Sequence, residues 1–330
     1  MQDPAGAAAL PGSRIEAIDL ARGAALLAMA VYHFTWDLEF FGYAPPGMTA
    51  EGGWKLFARA IASSFLGLVG ISLFLAHGRG IRWNGWVRRL ALVGGAALAI
   101  SVATYVATPE RFIFFGILHQ IALASILGLA FMRLPALAVF AVAAAVVAAP
   151  HFLRGAFFDH PVWWWSGLSS VNPPSNDYVP VFPWFAAVLA GMALAKIAAR
   201  SGWLRQLGLF EPGRWSRPLR FAGRHSLAVY LIHQPVLIGL IWAYAQIYPA
   251  ATEMPEVQFL QSCQAQCAIN RDDEFCTRYC VCVLDRLEEE AMLDTVFTSS
   301  QSAETQSLLG GMAAQCTGQA DALGGEVFDE

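Results

Sequence analysis

The sequence predicts an all-α polytopic membrane protein of about seven transmembrane helices carrying a small Cys-rich helical tail. Three observations predict it. Hydrophobic residues fill 56% and charged residues 14% of the 330 positions, against about 45–50% and about 25% in a soluble domain. Apolar stretches near the ~20 residues that cross a ~30 Å hydrocarbon core recur through residues 1–250. Charge and cysteine then divide the chain: residues 1–250 hold 18 Lys plus Arg against 10 Asp plus Glu, whereas residues 251–330 hold 3 against 15 and all six cysteines.

The apolar stretches lie at about 18–41, 56–76, 87–107, 112–132, 135–153, 179–198 and 226–247. Thr108, Pro109, Glu110 and Arg111 are the only polar break between the third and fourth, so without a turn there the count falls to six. The first stretch is longer than the apolar region of a signal peptide and carries His33 and Asp37, so it is expected to stay as a helix. Basic residues collect in short cytoplasmic loops. Alternate loops divide 14 basic residues, Arg79, Arg82, Arg88, Arg89, Arg133 and the 196–224 cluster among them, from four, Lys55, Arg59, Arg111 and Arg154. That alternation predicts an integral membrane protein with a cytoplasmic N terminus and an extracytoplasmic tail.

Ionisable groups at membrane depth are costly and mark function or mutual pairing. His33 and Asp37 stand four apart on one helix face. They either satisfy each other or form a base whose imidazole is oriented by the carboxylate. His119 follows Gly116 in the fourth stretch, and His233 precedes Pro235 in the seventh, where a kink frees backbone groups that need partners. Gln120 and Gln234 read as interhelical glue. Gly67, Gly70, Gly94, Gly95 and Gly191 read as positions of close helix approach.

The 154–178 loop contains Trp163, Trp164, Trp165, Asp159 and Asp177. It reads either as an interfacial aromatic belt or as a rim that stacks sugar rings. Pro180 and Pro183 allow an irregular start to the sixth helix but no regular mid-helix, making Trp184 part of a bent cavity lip. Trp163, Trp164, Asp177 and Trp184 are therefore the candidate substrate-binding residues. Arg214, Arg217, Arg220, Arg224 and His225 precede the seventh helix. They are either the positive-inside signal or a site for a phosphate-bearing cosubstrate, since Arg pairs bidentately with phosphate. No P-loop or dinucleotide glycine fingerprint is present.

Several stretches together resemble the heparan-alpha-glucosaminide N-acetyltransferase catalytic-domain family of transmembrane acyltransferases, in its shorter bacterial form. They are Arg14-Ile15-Glu16-Ala17-Ile18-Asp19 with Arg22-Gly23, Met29 and His33; Leu68 to Leu73; Gly116 to Gln120; Phe182 to Phe185; and Arg224-His225-Ser226-Leu227 through Pro235. The resemblance implies an acyltransferase-like domain over 14–248 that moves an acetyl group from cytosolic acetyl-CoA to an amine or hydroxyl of an extracytoplasmic sugar or glycan. Eukaryotic members use a His just beyond the helix-one motif, where this chain has none between Phe40 and Pro46. Joined to the residue reading, His33 oriented by Asp37 would deprotonate the acceptor or briefly carry the acetyl group. His119 would stabilise the oxyanion, and Arg217, Arg220, Arg224 and His233 would line the cosubstrate path. Membrane lipid, the glycan acceptor and a second copy of the chain are the partners considered; nucleic acid and metal are not expected. A proton-coupled transporter of small solutes or lipid is the rival from another class, with no clear inverted repeat behind it, and a scaffold presenting the tail is a third reading.

Residues 249–297 read as a Cys-rich hairpin and 298–330 as a flexible acidic tail, matching a flexible 1–13 at the other end. Cys263-x3-Cys267 and Cys276-x3-Cys280 place each pair one turn apart. Six cysteines allow 15 connectivities. The simplest joins Cys263 to Cys280 and Cys267 to Cys276, leaving Cys282 for Cys316, and a four-Cys zinc site is the alternative.

Overall fold

The computed structural model describes residues 15–45, 47–50, 52–248, 250, 255–268, 271, 273–297 and 302–325, so the 1–13 segment lies outside the described residues. Every regular element among them is helical. The chain divides into two compact units, Met1–Tyr244 and Ala245–Glu330.

The first unit contains α1 (Glu16–Phe40), α2 (Gly52–His77), α3 (Trp83–Ala107), α4 (Ile117–Leu127), α5 (Ala136–Leu153), α6 (Val181–Arg200), α7 (Trp203–Leu209), α8 (Arg217–Arg224) and α9 (Ser226–Ala245). Six of these, α1, α2, α3, α5, α6 and α9, are long and apolar enough to cross a membrane. The polar break at Pro109–Arg111 does make a turn. The expected fourth span is nonetheless shorter than the others, because residues 112–116 stay non-helical and the helix begins only at Ile117, running on through a tighter turn to Phe131. The extended backbone finds its partners inside the protein: Val179 N–H donates to Phe115 O at 3.0 Å, and Ile113 N–H to Thr104 Oγ1 at 3.0 Å. Non-helical backbone at membrane depth is tolerated under that condition.

α2 packs along α6, with Leu66 and Val69 against Val188 and Leu189 at the centre of the core. A Cβ at Gly70 would strike the Val188 carbonyl and one at Gly191 the Gly67 carbonyl, so these positions permit the approach. Gly94 and Gly95, expected to do the same, face open space on α3, a helix with few buried residues. α6 starts irregularly, as the two prolines predict: Phe182, which precedes Pro183, is extended at φ −97° and ψ 128°. Near the other end of α6 the buried Lys196 ammonium donates to the carbonyls of Phe131, Met132 and Leu134, closing the chain end that follows α4.

The second unit holds α10 (Pro255–Cys267), α11 (Asp273–Glu289), α12 (Leu293–Val296) and α13 (Ala303–Gly325). Its disulfides are Cys263–Cys280, Cys267–Cys276 and Cys282–Cys316, the simplest of the connectivities, and no cysteine among the described residues is free. Phe259, Leu284, Leu287 and Leu293 form a small core joined by Leu309 and Met312. The stretch read as a flexible tail is thus helical over Ala303–Gly325. Its physical reason is the bond from buried Cys316 to Cys282 together with those apolar contacts, which tie down a Gly- and Ser-bearing helix too weak to persist alone.

Candidate functional site

The deciding contact joins α1 to α9. His33 Nδ1 lies 2.7 Å from His233 Nε2. The ring centroids are 4.9 Å apart with planes 15° apart, the separation of near-coplanar rings meeting edge to edge. His233 Nδ1 lies 2.6 Å from the Tyr230 carbonyl, which can only accept. His233 therefore carries its proton on Nδ1, its Nε2 accepts, and His33 must donate from Nδ1. That leaves the lone pair of neutral His33 on Nε2, and the Gln234 side chain lies beside the ring.

The expected His33–Asp37 pair is not the one formed. Asp37, fully buried, accepts from Gln234 Nε2 at 2.6 Å. Gln234, next to His233 in the chain, also lies beside His33, so the carboxylate reaches the imidazole only through this amide. Among the described residues, the buried Gln234 Oε1 and Asp37 Oδ2 have no hydrogen-bond partner within ordinary distance. Gln120 is likewise fully buried with both amide atoms unpartnered. Buried polar atoms without partners are costly, so this part of the bundle holds hydrogen-bonding capacity that the described protein atoms leave unfilled.

His119 has neither nitrogen to offer. Gly116 N–H donates to Nδ1 at 3.2 Å, while Nε2 lies 3.1 Å from Ser101 Oγ, which donates to Ile113 O. It secures the non-helical 112–116 stretch, and the oxyanion role read from its sequence position would require breaking those bonds.

Below the histidine pair lies a cavity of about 350 Å³. Arg22, Arg88, Arg89 and Arg224 stand at its rim, Leu68, Leu92 and Leu227 are among its apolar walls, and it reaches Tyr230, one turn from His233. The predicted cosubstrate arginines are divided between two pockets. Arg217, Arg220 and Arg224 together line a second one, of about 460 Å³, beside Glu16, to which Arg220 and Arg224 are paired. Of the three, Arg224 also lines the first cavity, and it contacts Asp19 at 3.4 Å. His233 belongs with His33 and not with the arginines. Arg22, held by Asp19 and Ser72, was legible as a charge one turn from an acid inside an apolar helix; Arg88 and Arg89 carried only an orientation signal.

At the opposite end, α4 begins under the 154–180 loop. Asp177 Oδ2 accepts the Ile117 N–H at 2.8 Å, capping α4. Burial pushes this carboxyl above its usual range, opposed by that N–H. Asp177 also lies within electrostatic range of Tyr32 and Tyr230, each a neighbour of the histidine pair. Asp159 accepts from Ser170 and Ser169, which hold its carboxyl below the ordinary range. Trp164 is committed inward, donating to Asp159 O at 2.9 Å and accepting Tyr178 O–H on its own carbonyl at 2.7 Å. Burial raises that phenol to about 12. Trp163 packs on Phe157 and Phe158, and Trp184 packs against the main core, so neither presents a free stacking face comparable with Trp165, which is 40% exposed.

The family described as heparan-alpha-glucosaminide N-acetyltransferase, catalytic, matches residues 14–235, two thirds of the chain and all of the elements just described up to the middle of α9. The chain belongs to this family. No curated protein and no solved structure matches it. The heparan-alpha-glucosaminide N-acetyltransferase match ends at Pro235, two residues past His233, so both members of the histidine pair lie inside it and the disulfide-bonded unit lies outside.

Proposed function

We propose that the chain is a membrane-embedded acyltransferase that takes an acetyl or other acyl group from acyl-CoA at its arginine-rimmed end and passes it to an amine or hydroxyl of a sugar or glycan at the opposite end. In this reading the arginine end faces the cytoplasm of a bacterial inner membrane and the disulfide-bonded unit the periplasm, an orientation that the basic bias and the disulfides support. The observation that carries the reading is the His33–His233 pair, with its lone pair on His33 Nε2, standing one turn beyond the arginine-rimmed cavity.

The cavity suits a CoA thioester. Arg88 and Arg89 have no ion-pair partner among the described residues and suit phosphates, and the leucine walls suit an apolar arm. Arg22 and His33 are 11 residues apart on α1, roughly 16 Å by helical rise. Bound there, acyl-CoA would supply the thioester carbonyl: the acceptor's nitrogen or oxygen bonds to it, the C–S bond breaks, and CoA leaves as the thiol, taking up the proton that His33 removes from the acceptor. His33 takes the acceptor's proton on Nε2, while its Nδ1–H stays on His233. Gln234 Oε1, now without a donor, is placed to accept from the protonated imidazole, and Asp37 steadies the other end of that amide. Asp177, within electrostatic range of Tyr32 and Tyr230, would stand on the acceptor's side of the pair.

The test is acyl-CoA-dependent thermal stabilisation and single-turnover transfer with the purified full chain in detergent. Acetyl-CoA should stabilise wild type and His33→Ala alike, while Arg88→Gln/Arg89→Gln should lose that stabilisation. Failure of acetyl-CoA and longer acyl-CoAs to bind would remove the enzyme reading and leave the proton-coupled transporter.

A further inference from the structure

The acyltransferase reading makes no use of the segment between α6 and α9. Within it Trp203, Leu209, Phe210, Trp215 and Phe221 are each more than half exposed, with Leu207 at 41%. Arg200, Arg205, Arg214 and Arg217 are exposed too, and none has an ion-pair partner among the described residues, in contrast to Arg220 and Arg224. Glu211 is the one acid from 200 to 224. The segment is tethered to the bundle: α8 lies on α1, where a Cβ at Gly23 would meet the Leu219 carbonyl and one at Gly223 the Asp19 carbonyl. The two helices flanking it, α6 and α9, are both membrane-spanning by length and composition.

We propose that residues 200–221 form a docking surface for anionic phospholipid headgroups. Exposed tryptophans and leucines interleaved with unpaired arginines, on a segment that leaves and re-enters the membrane within 25 residues, match what an interfacial element needs: apolar groups for the acyl boundary and cations for the phosphates. The charge is complementary to an anionic leaflet and to little else in reach, since a soluble anion would gain nothing from the apolar side chains.

The proposal is tested with the full chain reconstituted in phosphatidylcholine vesicles with and without phosphatidylglycerol. Brominated phosphatidylglycerol should quench tryptophan fluorescence more than brominated phosphatidylcholine, and Trp203→Phe/Trp215→Phe should remove that excess. Arg200→Gln/Arg205→Gln/Arg214→Gln should lower the preference for phosphatidylglycerol, read by native mass spectrometry, by about fivefold per arginine. Equal quenching by the two lipids overturns the proposal. So does a triple variant that keeps its lipid preference but no longer responds to acetyl-CoA, because the arginines would then serve the cosubstrate.

Discussion

Two histidine sites sit in the same apolar bundle, and the difference between them lies in their neighbours. His119 is locked at both nitrogens by a backbone N–H and a serine that is itself committed. His33 is locked at one, and by a second histidine whose own proton is pinned to a carbonyl. The first arrangement stabilises an irregular turn. The second is what the proposed base requires, because fixing one nitrogen of an imidazole decides where the other's lone pair points.

The largest effect that separates the two sites is on turnover. His33→Ala should cost about 10²- to 10⁴-fold in kcat, the usual contribution of a general base, and should also lower the thermal midpoint, since it takes the donor from His233 Nε2. His119→Ala should lower the midpoint and leave kcat within a few-fold. Its loss strands the Gly116 N–H, at about 1–3 kcal/mol for a buried unsatisfied group, while the Ser101 hydroxyl keeps its bond to Ile113 O. Single-turnover acyl transfer and a melting curve on both variants make the check; equal losses of turnover would dissolve the distinction.

His233 comes next. Removing it takes away the acceptor for the His33 Nδ1–H when His33 carries positive charge, a bond worth about 1.5–3 kcal/mol, or roughly 10- to 150-fold. His233→Ala should therefore lower kcat by that range and also move the pH profile of kcat/KM, which His119→Ala should leave in place. A fall in kcat with an unmoved profile would make His233 a packing residue.

Little of this difference was legible in the chain itself. The apolar periods announced the spans, and the Cys-x3-Cys spacing announced a disulfide connectivity, because both are local patterns. His33 and Asp37 were paired by the four-residue rule, which is sound for one helix but silent about what a neighbouring helix brings. The structure brings Gln234 and His233 from 200 residues away. Relative depth was not legible either: α8 lies against α1 at the level of Asp19 and Gly23, so α9 starts there and lifts His233 to the height of His33. For His119 the missing signal was the non-helical 112–116 stretch, whose backbone needs are visible only once the 175–179 loop is seen to pair with it.

The smallest effect carries the same lesson to two aspartates of one loop. Asp159 accepts hydrogen bonds from Ser170 and Ser169, which depress its carboxyl, whereas burial raises that of Asp177 against a single N–H from Ile117. Their linkage to stability must have opposite sign. A depressed acid contributes stability that is present above its unfolded value, near ~3.9, and lost as pH falls through the folded one. A raised acid contributes stability that is present below the unfolded value and lost as pH rises through the folded one. Asp159→Asn should therefore flatten the acid side of the midpoint-against-pH curve. Asp177→Asn, whose amide oxygen can still accept the Ile117 N–H, should match wild type in acid and equal or exceed it toward neutral pH. Melting curves of both variants from acid to neutral pH decide it, and curves that tilt the same way would mean that the two carboxyls share one environment despite their different partners.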